Sequence, residues 1–151
     1  GSRIANDPFR GTSEAIVANS FGVQTEIGIT PSLFLSGWVG FTQAFATDLA
    51  NEPQANSFTW AATLAAPDLG GDGNLLGLAI GQPPKVTQND FTRRGRACVD
   101  PDTALHLEAF YRWQVVDNLT LTAGMFVILR PEHDSNNSPI YIGTFRSTFS
   151  F

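Results

Sequence analysis

The chain closes on IYIGTFRSTFSF, Ile140 to Phe151, and the fold follows from how these residues divide. The odd positions are Tyr141, Gly143, Phe145, Ser147, Phe149 and Phe151. The even positions include Thr144, Arg146, Thr148 and Ser150. Successive side chains of a strand point to opposite faces, so the stretch has an aromatic face backed by a polar, charged one. A soluble edge strand seldom ends the chain on its most apolar residue. A transmembrane β-barrel needs this division, with aromatic residues toward lipid and the interface and polar residues toward a wet lumen. Ile140 to Phe151 is therefore expected to be the closing strand of an outer-membrane barrel, with Phe151 as its terminal lipid-facing residue and assembly signal.

Bulk composition agrees. The chain has 151 residues, suited to one domain, and 42% are hydrophobic, too few for a helical membrane protein. No apolar run approaches the ~18 residues a membrane helix needs, whereas a barrel strand needs apolar residues only at alternate positions. Charged residues make up 15% and the net charge is −5, which argues against nucleic acid as a partner. The single Cys98 has no internal disulfide partner. Gly1-Ser2 is expected to be an expression scar, so the start of this sequence carries no information on targeting.

Residues 1–20 are polar and turn-rich, with one apolar pair at Ile16-Val17, and read as a linker, a loop or a weak first strand. Residues 21–151 carry the regular pattern. Val23, Thr25, Ile27 and Ile29 alternate with Gln24, Glu26, Gly28 and Thr30 up to a turn at Pro31-Ser32. Leu35, Val39, Phe41 and Phe45 then oppose Ser36, Trp38, Gly40 and Thr42. Phe58, Trp60, Ala62 and Leu64 follow, before the dense turn signal PDLGGDGN, Pro67 to Asn74. Leu76, Leu78 and Ile80 face away from small residues that include Gly77 and Gly81, so a bulky loop or plug is expected against that wall. After the irregular segment 83–102, Leu105, Leu107, Ala109, Tyr111, Trp113 and Val115 alternate with His106, Glu108, Phe110, Arg112 and Gln114. Asp117-Asn118 makes a hairpin into Leu119 to Leu129.

No segment of helical period appears. The reading is all-β: an antiparallel barrel with about seven or eight strands in this chain, joined by connections that alternate between short and long. Short ones fall at 31, 67–74 and 117, long ones at 46–56, 83–102 and 130–139, the asymmetry of periplasmic turns and external loops. A complete barrel has an even number of strands. Either residues 12–20 supply an eighth strand or the chain is the C-terminal portion of a larger barrel, since an open edge in lipid is costly.

Four stretches carry a family resemblance: NSFGVQTEIGITPSLFLSGWVGF (19–41), WAATLAAPDLGGDGNLLGLAIGQPPKV (60–86), LHLEAFYRWQVVDNLTLTAGMFVILRPEHD (105–134) and IYIGTFRSTFSF (140–151). In order and spacing they resemble the C-terminal barrel region of cyanobacterial outer-membrane porins related to the carbohydrate-selective porins, some described as iron-uptake porins. The resemblance implies a passive diffusion pore for small polar solutes, including carbohydrates and inorganic ions, in the outer membrane of a cyanobacterium. The partners it implies are outer-membrane lipid, the barrel-assembly machinery, an N-terminal part of the barrel and the other subunits of a homotrimer. Family members carry a wall-binding domain and about sixteen strands, of which this chain holds neither the wall-binding domain nor the first half. Ala123 stands where the family pattern has proline.

For such a pore the candidate functional residues are the inward ones. Glu26, Glu108, Arg112, Arg130 and Arg146 fall on the polar face by parity, where charges set ion preference. The plainer reading is that Glu108 and Arg112 pair with neighbours and brace the wall. Trp38 also falls inward and is the one aromatic placed to stack solutes. Trp60, Trp113 and Tyr111 fall outward as an interface belt. Arg93, Arg94 and Arg96 form a basic cluster in an external loop, read as an anion-attracting patch or as a solvated loop. No catalytic set, metal set or cofactor site is expected. His106 lacks a serine placed by sequence, and Glu132, His133 and Asp134 are consecutive residues that make a poor metal site without further ligands. The alternatives are a small non-conducting structural or adhesive membrane barrel and a soluble ligand-binding β-barrel.

Overall fold

The computed structural model describes residues 1–151. Seven long strands pair in chain order into one antiparallel sheet: β1 (Ile16–Thr30), β2 (Leu33–Ala46), β3 (Gln54–Pro67), β4 (Leu75–Asn89), β7 (Leu105–Val116), β8 (Leu119–Leu129) and β9 (Ile140–Phe149). Between β4 and β7 lies a separate small hairpin, β5 (Thr92–Arg93) with β6 (Arg96–Ala97). One helical turn, α1 (Arg3–Asn6), precedes the sheet. No helix is long and apolar enough to cross a membrane. The long strands run from 10 to 15 residues, against the roughly 9–11 that a tilted strand needs to span a bilayer.

Every strand pairs with its sequence neighbour, and the sheet does not close, because β1 and β9 form opposite edges. The connections at one end, after β1, β3 and β7, hold two, seven and two residues, and those at the other, after β2, β4 and β8, hold seven, fifteen and ten. The expected alternation holds except after β2, where residues 47–53 are no more numerous than the turn 68–74 because β3 already begins at Gln54. Expectations for two segments need correction. Ile16 to Ser20 are the first residues of β1, continuous with Phe21 and paired to Ala46–Thr42, so residues 12–20 supply no eighth strand. The segment 83–102 is not irregular throughout, since β4 runs on to Asn89.

Pro83 and Pro84 explain the altered course of β4. Its ladder to β7 stops at the pair Gly81↔His106, while its register with β3 slips between Phe58 and Trp60, opposite Gln82 to Lys85. Proline has no N–H for a ladder and settles at bulges and edges. Above the prolines β4 pairs only with β3, and the loops at the long-connection end close over it. Val86 N donates to Asp100 Oδ2 (2.7 Å), Asp100 N donates to Val86 O (3.1 Å), and Lys85 Nζ meets Thr103 Oγ1 (2.9 Å).

The N-terminal segment docks on the same end. Ser2 caps α1 by accepting from Ala5 N and donates its own hydroxyl to Asp100 Oδ2, each at 2.9 Å. Asn89 Nδ2 donates to Pro8 O and to Cys98 O. Phe9, fully buried, packs on Ala46 and Ala55 and meets the Phe91 ring edge-on at 6.1 Å. Ala44, Ala46 and Ala55 share the parity of Thr42 and Trp38, so this cap folds onto the polar face of the sheet. Buried residues gather here because the rest of the sheet has both faces open.

The wall of small residues has a local explanation. A Cβ on Gly77 would lie 2.2 Å from the Phe110 ring, so the bulky group against Gly77 is a side chain from the paired strand β7, and not a loop or plug.

Candidate functional site

Register turns the alternation of single strands into two continuous faces. One carries Phe21, Val23, Phe41, Val39, Phe58, Trp60, Leu78, Ile80, Tyr111, Trp113, Met125, Tyr141, Phe145 and Phe149. Many of these are open to the surroundings: Phe21 is 69%, Tyr141 70% and Phe145 72% exposed. Exposed apolar side chains over a whole sheet face are not tolerated in water, whereas lipid accepts them.

The opposite face holds most of the candidate residues, in registered rows. One row is Gln24, Trp38, Ala61, Gly81, His106 and Ile128. The next is Glu26, Ser36, Thr63, Ala79, Glu108, Phe126 and Ile142. Nearer the short turns, Arg112, Thr122 and Arg146 stand side by side. At about 4.8 Å per strand, Glu26 and Glu108 are roughly 19 Å apart across the sheet, while Arg112 and Arg146 are roughly 10 Å apart. Acidic residues thus occupy one level and basic residues another.

Trp38, 45% exposed, stands between two depressions of this face. One, of about 310 Å³, is lined by Gln24, Glu26, Ser36 and Thr63. The other, of about 390 Å³, is lined by Thr63, Gln82, His106, Glu108 and Phe126. Small neighbours at Ala61 and Gly81 leave the indole standing above the sheet. An aromatic plate between carboxylates, hydroxyls and an amide has the chemistry to meet both the apolar face and the hydroxyl rim of a polar solute. His106 belongs to this surface and lies edge-on to Phe126 at 5.1 Å. Its cross-strand partners are Gly81 and Ile128, so no serine is registered against it.

None of Glu26, Glu108, Arg112, Arg130 or Arg146 is in an ion pair; the one contact within 4.0 Å joins Arg3 to Glu132 at 3.9 Å. Arg112 reaches Gly73 O at 3.4 Å in the turn before β4. Arg130 lies beyond the end of β8, in left-handed backbone at the start of a 3-10 turn (Pro131–His133), and its guanidinium donates to Thr103 O. It therefore stands at the mouth, among the long connections. Phe151 follows the last paired residue of β9 and is fully exposed.

Outside the seven-stranded sheet, Arg93, Arg94 and Arg96 sit on the β5–β6 hairpin, and Arg10 of the N-terminal segment joins them around a cleft of about 700 Å³. Sequence carries no signal for that fourth arginine, because the docking of residues 1–12 is a long-range contact. His133 is a structural residue: with no exposure, its Nδ1 accepts from Ala104 N (2.8 Å) and its Nε2 donates to Pro84 O (3.0 Å). Burial lowers its pKa from the usual 6.5. Both ring nitrogens are engaged, so the ring has none free for a metal.

Comparison with known proteins agrees with this two-faced sheet. A family model described as "Carbohydrate-selective porin, OprB family" matches residues 2–151. The uncharacterized protein sll0772 of Synechocystis sp. (strain ATCC 27184 / PCC 6803 / Kazusa) is 37% identical over 167 residues, covering 100% of this chain and 30% of the relative. The uncharacterized protein alr4550 of Nostoc sp. (strain PCC 7120 / SAG 25.82 / UTEX 2576) is 28% identical over 151 residues, covering 100% of this chain and 24% of the relative. The chain thus spans less than a third of the length of these relatives. No solved structure matches it.

Proposed function

Because this chain belongs to the carbohydrate-selective porin family, OprB, we propose that it builds part of the wall of an outer-membrane pore in a cyanobacterium, through which small polar solutes, sugars and inorganic ions diffuse. The single observation that carries this reading is the sheet itself: seven membrane-length strands with one apolar exposed face, one polar face and two unpaired edges. Apolar exposure on that scale disfavours a soluble ligand-binding barrel. Unpaired backbone is unsustainable in lipid, so β1 and β9 are to be completed by further strands, which the greater length of the relatives can supply.

In this reading the polar face is the lumen wall. Trp38 is the stacking plate for a sugar, and Glu26 and Glu108 accept hydrogen bonds from its hydroxyls. Arg112 and Arg146 set ion preference nearer the short-turn end, while Arg130 acts at the mouth. Lipid contacts the other face, Phe151 serves barrel assembly, and the trimer and assembly machinery enter as partners of the whole protein. Catalysis has no part in the proposal, and the family is one of channels.

The test is electrical. Full-length protein reconstituted in planar bilayers is expected to give discrete current steps, and liposomes carrying it to swell in isotonic monosaccharide. Trp38→Ala is expected to weaken sugar-induced block of the current while conductance in salt alone persists. Absence of both steps and swelling from well-folded protein would sink the pore reading.

A further inference from the structure

The registered rows of the polar face do not account for the arginine cleft, whose arginines lie on the β5–β6 hairpin and the N-terminal segment of the cap. Its construction breaks several local rules. The β5–β6 hairpin places Arg93 directly opposite Arg96, a like-charge cross-strand pair that works against the hairpin. The turn between them, Arg94-Gly95, has positive φ at both residues (52° and 75°), a geometry that favours Asn-Gly and is costly for arginine. Arg10, brought in from the N-terminal segment, also holds positive φ (57°), ahead of Gly11 at 68°. Two of the four arginines are thus held in backbone that side chains avoid.

No ion pair offsets that accumulated charge. No carboxylate lies within 4.0 Å of Arg10, Arg93, Arg94 or Arg96, although the chain as a whole carries −5. Hydrogen bonds instead fix the two segments that meet here: Asn89 bridges Pro8 O and Cys98 O, and Phe91 N donates to Asn89 Oδ1. The platform is anchored and the guanidiniums are free. Strained backbone combined with unrelieved like charge is the pattern of a site completed by its ligand.

We propose that the Arg10–Arg93–Arg94–Arg96 cleft is a binding site for a multiply charged oxyanion, a phosphate group carried by a small soluble solute. Guanidiniums are planar forks that pair with phosphate oxygens through two hydrogen bonds each, and a dianion neutralises charge from several of them at once. At about 700 Å³ the cleft falls within the roughly 300–1,000 Å³ of small-molecule sites, so it accommodates a phosphorylated sugar as well as inorganic phosphate. Its place on the cap, at the long-connection end, sets it apart from Trp38 and the charged rows of the sheet. The site does not require that the protein conduct.

Equilibrium binding tests it independently of channel activity. Full-length protein in detergent is titrated calorimetrically with inorganic phosphate, glucose 6-phosphate and glucose at low ionic strength. Both phosphates are expected to bind saturably with similar affinity, and glucose not to register here. The double variant Arg93→Gln/Arg96→Gln is expected to weaken phosphate binding at least about tenfold, the order of one lost charge-assisted hydrogen bond. Its melting temperature should stay level or rise, because the opposed pair is gone. Phosphate heats matched by sodium chloride of equal ionic strength, or unchanged in the double variant, would overturn the proposal. So would binding of lipid A phosphates without binding of either soluble phosphate, which would assign the cleft to a membrane headgroup.

Discussion

His133 shows how one side chain can hold a loop system that sequence presents as a metal candidate. Its ring joins the peptide carbonyl of Pro84 to the N–H of Ala104, across the gap that the Pro83-Pro84 bulge opens between β4 and β7. Replacing it with alanine leaves both groups unpaired in a dry site, at a cost of roughly 2–4 kcal/mol. Limited proteolysis is expected to cut segment 98–104 of His133→Ala much faster than the parent. Acid should act the same way. Burial lowers the pKa of His133 below 6.5, so the unfolded chain binds the proton first; the stability is complete above pH 6.5 and lost as pH falls through the folded-state value. Proteolysis of the cap should rise over that window in the parent and stay flat in His133→Gln. Gly77 makes the complementary case. Ala there places a Cβ 2.2 Å from the Phe110 ring and displaces it, costing roughly 1–3 kcal/mol. Pairing Gly77→Ala with Phe110→Ala is expected to recover most of the lost heat resistance, measured by gel migration of folded and boiled protein.

Strands are where the sequence was most readable. Parity placed Trp38, Glu26, Glu108, Arg112 and Arg146 on one face, and the register places all five there, because alternation is a property of a single chain segment. Parity does not report where a strand ends. Arg130 kept the parity of Phe126 but lies past Leu129, where left-handed backbone breaks the alternation. Ile16-Val17 erred the other way: a short apolar pair in polar surroundings reads as weak, yet it extends β1 because β2 offers a partner as far as Ala46. For β9, deleting Phe151 is expected to lower the amount of folded protein reaching the outer membrane while leaving the total synthesised unchanged. Equal folded yields would remove Phe151 from any role in assembly.

For the whole molecule the governing fact is the open sheet. On the proposed reading, residues 1–151 expressed alone, with β1 and β9 both unpaired, are expected to show no heat-modifiable band in detergent, whereas a chain of its relatives' length should show one. Charge layering along the polar face gives a second expectation at this scale. Reversing Arg112 and Arg146 together to Glu should move the zero-current potential in a salt gradient toward cation preference, and Glu26→Gln with Glu108→Gln should move it the other way. No shift in either variant would mean that these side chains do not face the conducting path.

Which residues share a face was determined by the sequence alone, since alternation depends on residues within a few positions of one another, whereas the choice between seven and eight long strands was not. The tertiary structure decided which distant pieces meet: Arg10 with the β5–β6 hairpin, Ser2 with Asp100, His133 with Pro84, and Phe110 with Gly77. Those contacts depend on strand register and on loops returning across many residues. Alternating hydrophobicity is blind to both, because a polar loop residue looks the same wherever it docks.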